Sequence, residues 1–241
     1  MRKNSPRLRP VAVIASILFV LLFSGGALAE SQKQEAQALV DNSRTTLGTV
    51  LANEDMTWLR ENIGRAEGVI IFPQVIKGGF IFGGSGGSGV LLARNDSDNE
   101  WSDPAFYTIG AVTFGLQIGA EASQVLMLVM TEKGLDSLLT SQANLGAGIS
   151  IAAGPVGAGA KAATADIVQY NLSKGAFGGV TLDGAVIKVR NGLNSAYYGG
   201  DVRPTDILIT REARNAAARD LVKSVTEAAA RSSSEPAKAS K

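Results

Sequence analysis

The stretch Phe106–Glu121, FYTIGAVTFGLQIGAE, decides how this chain is read. Its even positions carry Phe106, Val112, Phe114, Leu116 and Ile118; its odd positions carry Tyr107, Thr113, Gln117 and Glu121. Successive side chains of a strand point to opposite faces, so the alternation predicts a β-strand with its even face on a core and its odd face wetter. The next apolar run, Val125–Met130, has no polar position, which predicts a strand covered on both faces. Working outward, short β-favouring runs recur at Val69–Phe72, Phe80–Phe82 and Val90–Ala93, and then at Leu145–Ala152, Ile167–Tyr170, Val180–Leu182 and Val186–Val189. All but three of the 28 glycines lie between Gly64 and Gly200. Glycines inside strands mark bulges, bends or close backbone approach. The expectation is a many-stranded, mostly antiparallel sheet, sharply curved or closed into a small barrel.

Helical patterns bracket this region. Across Glu30–Ala52, Ala36, Leu39, Val40, Ser43, Leu47, Val50 and Leu51 recur at three- and four-residue spacing and share one face. Asn53 is placed to cap a second helix with Met56, Leu59 and Ile63 on its buried side, and Gly64 to end it in a left-handed turn. Glu132–Thr140 reads as a short inserted helix, and Glu212–Ala230 as a C-terminal one with Ala213, Ala217, Leu221, Val225 and Ala228 on one stripe. The fold class is therefore α+β. One domain is expected over 30–230, with N-terminal helices at 30–64, a β-rich core at 65–200 and a C-terminal helix at 211–230. The Ser/Ala/Lys tail 231–241 reads as disordered.

Residues 1–29 have a different character. Arg2, Lys3, Arg7 and Arg9 precede the 13-residue apolar run Val11–Phe23, and Ala27-Leu28-Ala29 follows with a small-x-small pattern. This is the layout of a signal peptide cleaved after Ala29, and it predicts export to the periplasm or envelope. The absence of cysteine excludes disulfides and lipid attachment through a thiol. Without the leader's basic residues, 19 Lys+Arg face 22 Asp+Glu, a net charge of −3. A mildly acidic domain is a poor nucleic-acid binder, so any affinity for an anionic surface must be local.

Motifs that look catalytic fail on their surroundings. Gly83-x-Ser85-x-Gly87 fits a nucleophile elbow, but the chain has no histidine and no Ser-x-x-Lys to activate the serine. Gly84-x-Gly86-x-x-Gly89 fits a dinucleotide fingerprint, but a strand-like Val90–Ala93 follows where a helix N-terminus is required. Gly157-x-Gly159-x-x-Ala162 is a second, weaker match without a βαβ frame. The acidic run Asp96–Glu100 lacks the glycine of a calcium loop, Trp101 standing in its place, and reads as a turn. Zinc sites of the usual type are excluded without His or Cys. Glu121, Asp166 and Asp183 are the carboxylates available for acid–base work, and nothing selects a pair. The reading is no enzyme and no cofactor.

Positive charge is sparse in the β region: Lys77, Arg94, Lys133, Lys161, Lys174, Lys188 and Arg190. Several border glycine turns, whose exposed N–H groups can add to an anion site.

Five segments occur together in order: AEGVIIFPQVIKGGFIFGGSGGSGVLL at 66–92, WSDPAFYTIGAVTFGLQIGAE at 101–121, LGAGISIAAGPVGAGAKAAT at 145–164, YNLSKGAFGGVTLDGAVIK at 170–188 and AYYGG at 196–200. Across roughly Ala36–Ile209 the chain resembles the SYLF domain family. That resemblance implies a lipid-binding module; eukaryotic members bind phosphoinositides and some bind actin, while bacterial members with signal peptides sit in the envelope. It further implies membrane contact through an N-terminal amphipathic helix, here Glu30–Ala52 with Lys33 and Arg44 as its positive charges, and through basic residues. Lys77, Lys161, Lys174 and Lys188 lie within the matched segments and are the lipid-binding candidates. The expected function is non-catalytic binding of anionic phospholipid headgroups at an envelope membrane surface. The alternative is a structural or protein-interaction domain of the periplasm with an envelope protein partner and no lipid ligand.

Overall fold

The structure, a computed structural model, describes residues 10–79, 82–95, 98–114, 119–155, 164–173, 176–178, 182 and 184–234, with the backbone alone for 10–29, 79, 82, 113, 114, 119, 120, 176–178, 233 and 234. Helix α1 (Pro10–Ala52) runs into a short 3-10 turn and then α2 (Thr57–Asn62). Asn53 does cap this turn, its side-chain oxygen accepting the Asp55 N–H at 2.9 Å. Four long strands follow: β1 (Gly68–Gly79), β2 (Phe82–Ala93), β3 (Ala105–Phe114) and β4 (Gly119–Val129). Next come α3 (Glu132–Leu139), β5 (Gln142–Asn144), β6 (Ile151–Ala153), β7 (Ile167–Ser173), β8 (Ala176–Gly178) and β9 (Val186–Val189). Helices α4 (Asn191–Tyr198), α5 (Pro204–Leu208) and α6 (Arg219–Ser234) complete the chain.

The strands form one curled sheet in the order β5-β9-β3-β2-β1-β4-β7-β6, with β8 beside β7. The only parallel pairing among the described residues is β6 with β7. The expected α+β class with a curved, mostly antiparallel sheet is thus what the chain forms, as an open half-barrel. Pro73 sits in the central strand β1, where proline normally breaks the ladder. It is accommodated because the register shifts between Ile71 and Gln74 against β2 and between Phe72 and Val75 against β4. The extra residue of this bulge puts Phe72 and Val75, three apart, on the same face.

Both faces of the sheet are packed. On one, Val69, Ile71, Val90, Leu92, Phe106, Leu126 and Leu128 meet α1, α2, α4 and α6 through Val40, Leu47, Leu59, Leu193, Leu221 and Val225. On the other, Ile70, Phe72, Tyr107, Ile109 and Met127 meet Leu135 and Leu138 of α3, and Ile207 and Leu208 of α5. Val125–Val129 is buried throughout, as its unbroken apolar run requires.

This two-sided cover corrects the reading of Phe106–Glu121. Tyr107, placed on the wetter face, is 1% exposed and donates its hydroxyl to the Leu138 carbonyl at 2.8 Å. Burial pushes its pKa above the ordinary phenolic value. Val112, placed on the core face, is 74% exposed, because it lies beyond Ile71, Val90 and Phe106, the positions of that face on which the helices pack. Gly64 lies inside a 3-10 turn rather than in a left-handed one; the left-handed helix end is at Gly199, closing α4. The C-terminal helix begins at Arg219, after a bend at Arg211 (φ 57°), and runs to Ser234. Leu145–Ala152 is not one strand, because Gly146 and Gly148 take positive φ in a turn and leave β6 only three residues.

Candidate lipid-contact site

The boundary of the helical cover is drawn by Arg190. Its guanidinium, just before α4, donates to Ser88 Oγ on β2 at 2.8 Å and pairs with Glu35 of α1. At this level the strands pair Gln74 with Ser88, Ser88 with Thr108, and Thr108 with Lys188, which makes a polar row across the sheet. Beyond it the register aligns Ile76 with Gly86 and Ala122, and Gly86 with Gly110; then Gly78 with Gly84 and Ala120, and Gly84 with Val112. Ile76 is 53% exposed. With Ile209, Ile76 and Val112 are the exposed large hydrophobic residues among the described ones.

The glycines of β2 fall into two kinds. A Cβ at Gly89 would run into the Ile71 carbonyl and the Phe72 ring, and one at Gly87 into the backbone of Gln74 and Val75. Those two let the bulged strand approach closely. At Gly84, Gly86 and Gly110 a Cβ would meet one carbonyl oxygen each, at 3.5, 3.6 and 3.8 Å, which is ordinary contact. Their φ angles are not left-handed. Neither space nor conformation demands glycine there.

The basic residues divide by whether they are already used. Arg44 pairs with Asp220 at 2.9 Å, Arg94 with Glu67 at 3.4 Å and Lys133 with Asp166 at 3.4 Å. Lys77 and Lys188 form no ion pair with any described residue. Lys188 is exposed on β9, on the face that packs against α1, α2, α4 and α6, and Lys77 is half-buried on the face of β1 that packs against α3 and α5. Their rows meet β3 at Thr108 and Ala111, about 10 Å apart along the strand. They bracket the sheet rather than form one patch. Glu121 stands directly across from Lys77 on β4. Lys161 and Lys174 lie outside the described residues.

The N-terminal amphipathic helix is already engaged. Ala36, Val40, Leu47 and Val50 of α1 are buried in the core, so the face implied for membrane contact is the one that packs on the sheet and α6. No helix among the described residues is long and apolar enough to cross a membrane. A groove of about 500 Å³ between α1 and α6 is lined by Arg44, Glu227 and Arg231, with Arg44 bound to Asp220 and Arg231 to Glu227.

The catalytic look-alikes resolve structurally. Gly83–Gly89 lies within β2, with no helix after it. Asp98 accepts the Glu100 N–H at 2.8 Å and Asn99 has φ 57°, which is turn geometry. Asp166 accepts the Ser150 N–H and hydroxyl and the Thr131 hydroxyl, all at 2.8 Å. The Ser150 backbone bond is the foremost cause that holds its carboxyl far below the usual range. It is a tie between the β4–α3 and β6–β7 connections. Glu121 is exposed, and Asp183 lies outside the described residues. Among the described residues no three His, Cys, Asp or Glu side chains gather to hold a metal.

The sequence patterns do not mark Ile76 and place Val112 on the core face, so neither reads as exposed. A signal was present: no charged residue occurs from Gly78 to Ala93 or from Pro104 to Ala120, and these segments meet at one end of the sheet.

The fold and the site define a half-barrel α+β domain whose sheet end is left uncovered. Residues 110–228 match the family model described as Ysc84, Las17-binding protein actin regulator. The chain is 33% identical over 165 residues to human SH3 domain-containing YSC84-like protein 1, covering 66% of this chain and 48% of that protein. It is 35% identical over 164 residues to an SH3 domain-containing protein of Schizosaccharomyces pombe, covering 65% and 38%. With LAS seventeen-binding protein 3 of Saccharomyces cerevisiae it shares 33% identity over 155 residues, covering 61% and 33%. This chain therefore belongs to the Ysc84 family, the SYLF family that its segments resemble. It spans less than half the length of these relatives.

Proposed function

We propose that this protein is a non-catalytic module that binds anionic lipid headgroups at a membrane surface of the cell envelope. The observation that carries this reading is the pair Lys77 and Lys188, the cations of the sheet that engage no described acid and stand beside its uncovered end. A lysine near an anionic membrane contributes about 1 kcal/mol, so two lysines give weak, reversible attachment that apolar contact has to supplement. The absence of histidine and cysteine, and the structural role of Asp166, support a binding role over catalysis. Residues 1–29 support export, and cleavage after Ala29 is part of the proposal. A relative named for binding Las17 gives weight to a second reading, a protein partner in place of lipid.

Flotation of the purified protein with anionic and with zwitterionic vesicles, at low and at physiological salt, separates the readings. Selective, salt-sensitive flotation with the anionic vesicles is expected, because headgroup contacts at a surface are screened. Absence of flotation with either overturns the lipid reading in favour of a protein partner.

A further inference from the structure

We propose that the uncovered sheet end enters the membrane interface edge-first, with Val112 deepest in the acyl boundary, Ile76 two residues above it, Lys188 at headgroup level, and Lys77, one residue beyond Ile76 on the opposite face, extending its side chain back to the headgroups. The inference rests on the lipid-binding reading and deepens it by naming the inserting element. The amphipathic face of α1 is spent in the core, so contact through it requires unpacking Val40, Leu47 and Val50. The sheet end requires no such change. Among the described residues its two large exposed side chains share one face, and the positions aligned between them are Gly84 and Gly86.

Three independent features fit a bilayer as the occupant. The first is chemistry. Beyond the polar row of Gln74, Ser88 and Thr108, the central strands β1–β4 carry on this face Ile76, Gly78, Gly84, Gly86, Gly110, Val112 and Ala122, none of which has a hydrogen-bonding side chain, and the exposed Asn144 of β5 lies at the margin. A specific protein partner is recognised through anchors in pockets and a hydrogen-bonded rim, whereas a fluid apolar phase needs neither. The second is length. From Gly110, level with Ile76, to Val112 is about 7 Å along β3, within the depth of about 5–10 Å to which interfacial elements sink. The third is the glycines. Gly84, Gly86 and Gly110 have room for a Cβ and no left-handed φ. Glycine there weakens the strands with no packing return, and what it yields is a smooth apolar surface between Ile76 and Val112.

The chain has no cysteine, so Val112→Cys and, as a control on the exposed side of α6, Ala230→Cys can each carry one environment-sensitive fluorophore. With vesicles of mixed phosphatidylglycerol and phosphatidylcholine, the dye at 112 is expected to shift to the blue. Nitroxides near the headgroup end of the acyl chain should quench it more than nitroxides near the methyl end. The dye at 230 should do neither. The unlabelled Ile76→Asp variant should float about tenfold less than the wild type, with an unchanged circular dichroism spectrum. If the protein floats but the dye at 112 stays unshifted and Ile76→Asp floats normally, edge-first insertion is overturned while lipid binding stands. If neither wild type nor variants float, both fall. A blue shift that appears without vesicles as protein concentration rises would make the face a contact between two copies and would overturn the inference.

Discussion

Ile76 on β1 and Val112 on β3 stand on one face of the sheet, and the strand between them aligns only Gly84 and Gly86 with them. Both are solvent-exposed although each continues a strand that is fully buried nearer the centre of the molecule. The cause is the reach of the helices. α1 is tied down at the level of Ser88 by Arg190 and Glu35, and the strands run on past that point.

The two kinds of glycine in β2 should respond oppositely to a methyl group. Gly89→Ala pushes into the Phe72 ring and the Ile71 carbonyl and should destabilise the protein by about 1–3 kcal/mol. Gly84→Ala makes only ordinary contact with the Ala111 carbonyl and should leave stability unchanged or raise it by about 0.5–1 kcal/mol. Urea unfolding of the two variants beside the wild type checks this. Equal effects would remove the distinction between structural and surface glycines.

Asp166 should matter to stability in a pH-dependent way. Its folded pKa is depressed by the Ser150 and Thr131 bonds. Its stabilisation is therefore fully present above the unfolded value of about 3.9 and is lost as pH falls toward the folded one. Asp166→Asn should cost about 1–3 kcal/mol at pH 7, and the gap to the wild type should narrow only below about pH 4. Thermal melts from pH 7 to pH 2.5 measure it, and a gap independent of pH would contradict the assignment.

Arg190 should hold the start of the packed part of α1. Arg190→Gln removes the bond to Ser88 and the pair with Glu35. Amide exchange at Ala36–Val40 should accelerate several-fold, while that of β1 and β4 stays as in the wild type. Unchanged exchange in α1 would show that core packing alone fixes the helix.

Glu121 should work against anionic binding. It faces Lys77 across the β1–β4 ladder, and opposite charges in that position attract. Glu121→Gln should raise affinity for anionic vesicles, up to about fivefold for one unit of charge near the surface. Cosedimentation at low salt reads this, and a fall in affinity would mean that Glu121 helps position the contact.

Much of the architecture was legible in local pattern. The unbroken Val125–Met130 run announced a strand covered on both faces, and the pattern of Glu132–Thr140 announced the short helix α3. The bulge at Pro73 was not legible, because a one-residue slip leaves no mark beyond the proline itself. The exposure of Val112 was hidden for a related reason. Alternation reports that a strand has two faces, but how far a helix covers one of them depends on contacts such as Arg190 with Ser88, 102 positions apart in sequence. For the site, the basic positions of the sheet could be read directly. Which of them are spent on acids could not, since Arg190 meets Glu35 only in the folded chain.

The measurement that bears most directly on the account is the binding isotherm of the Lys77→Gln/Lys188→Gln double variant on anionic vesicles, beside the wild type, at two salt concentrations. At about 1 kcal/mol per lysine the double variant should bind about 30-fold more weakly and lose most of its salt dependence. Binding equal to the wild type, with the same salt dependence, would contradict the claim that these two lysines hold the protein to the membrane.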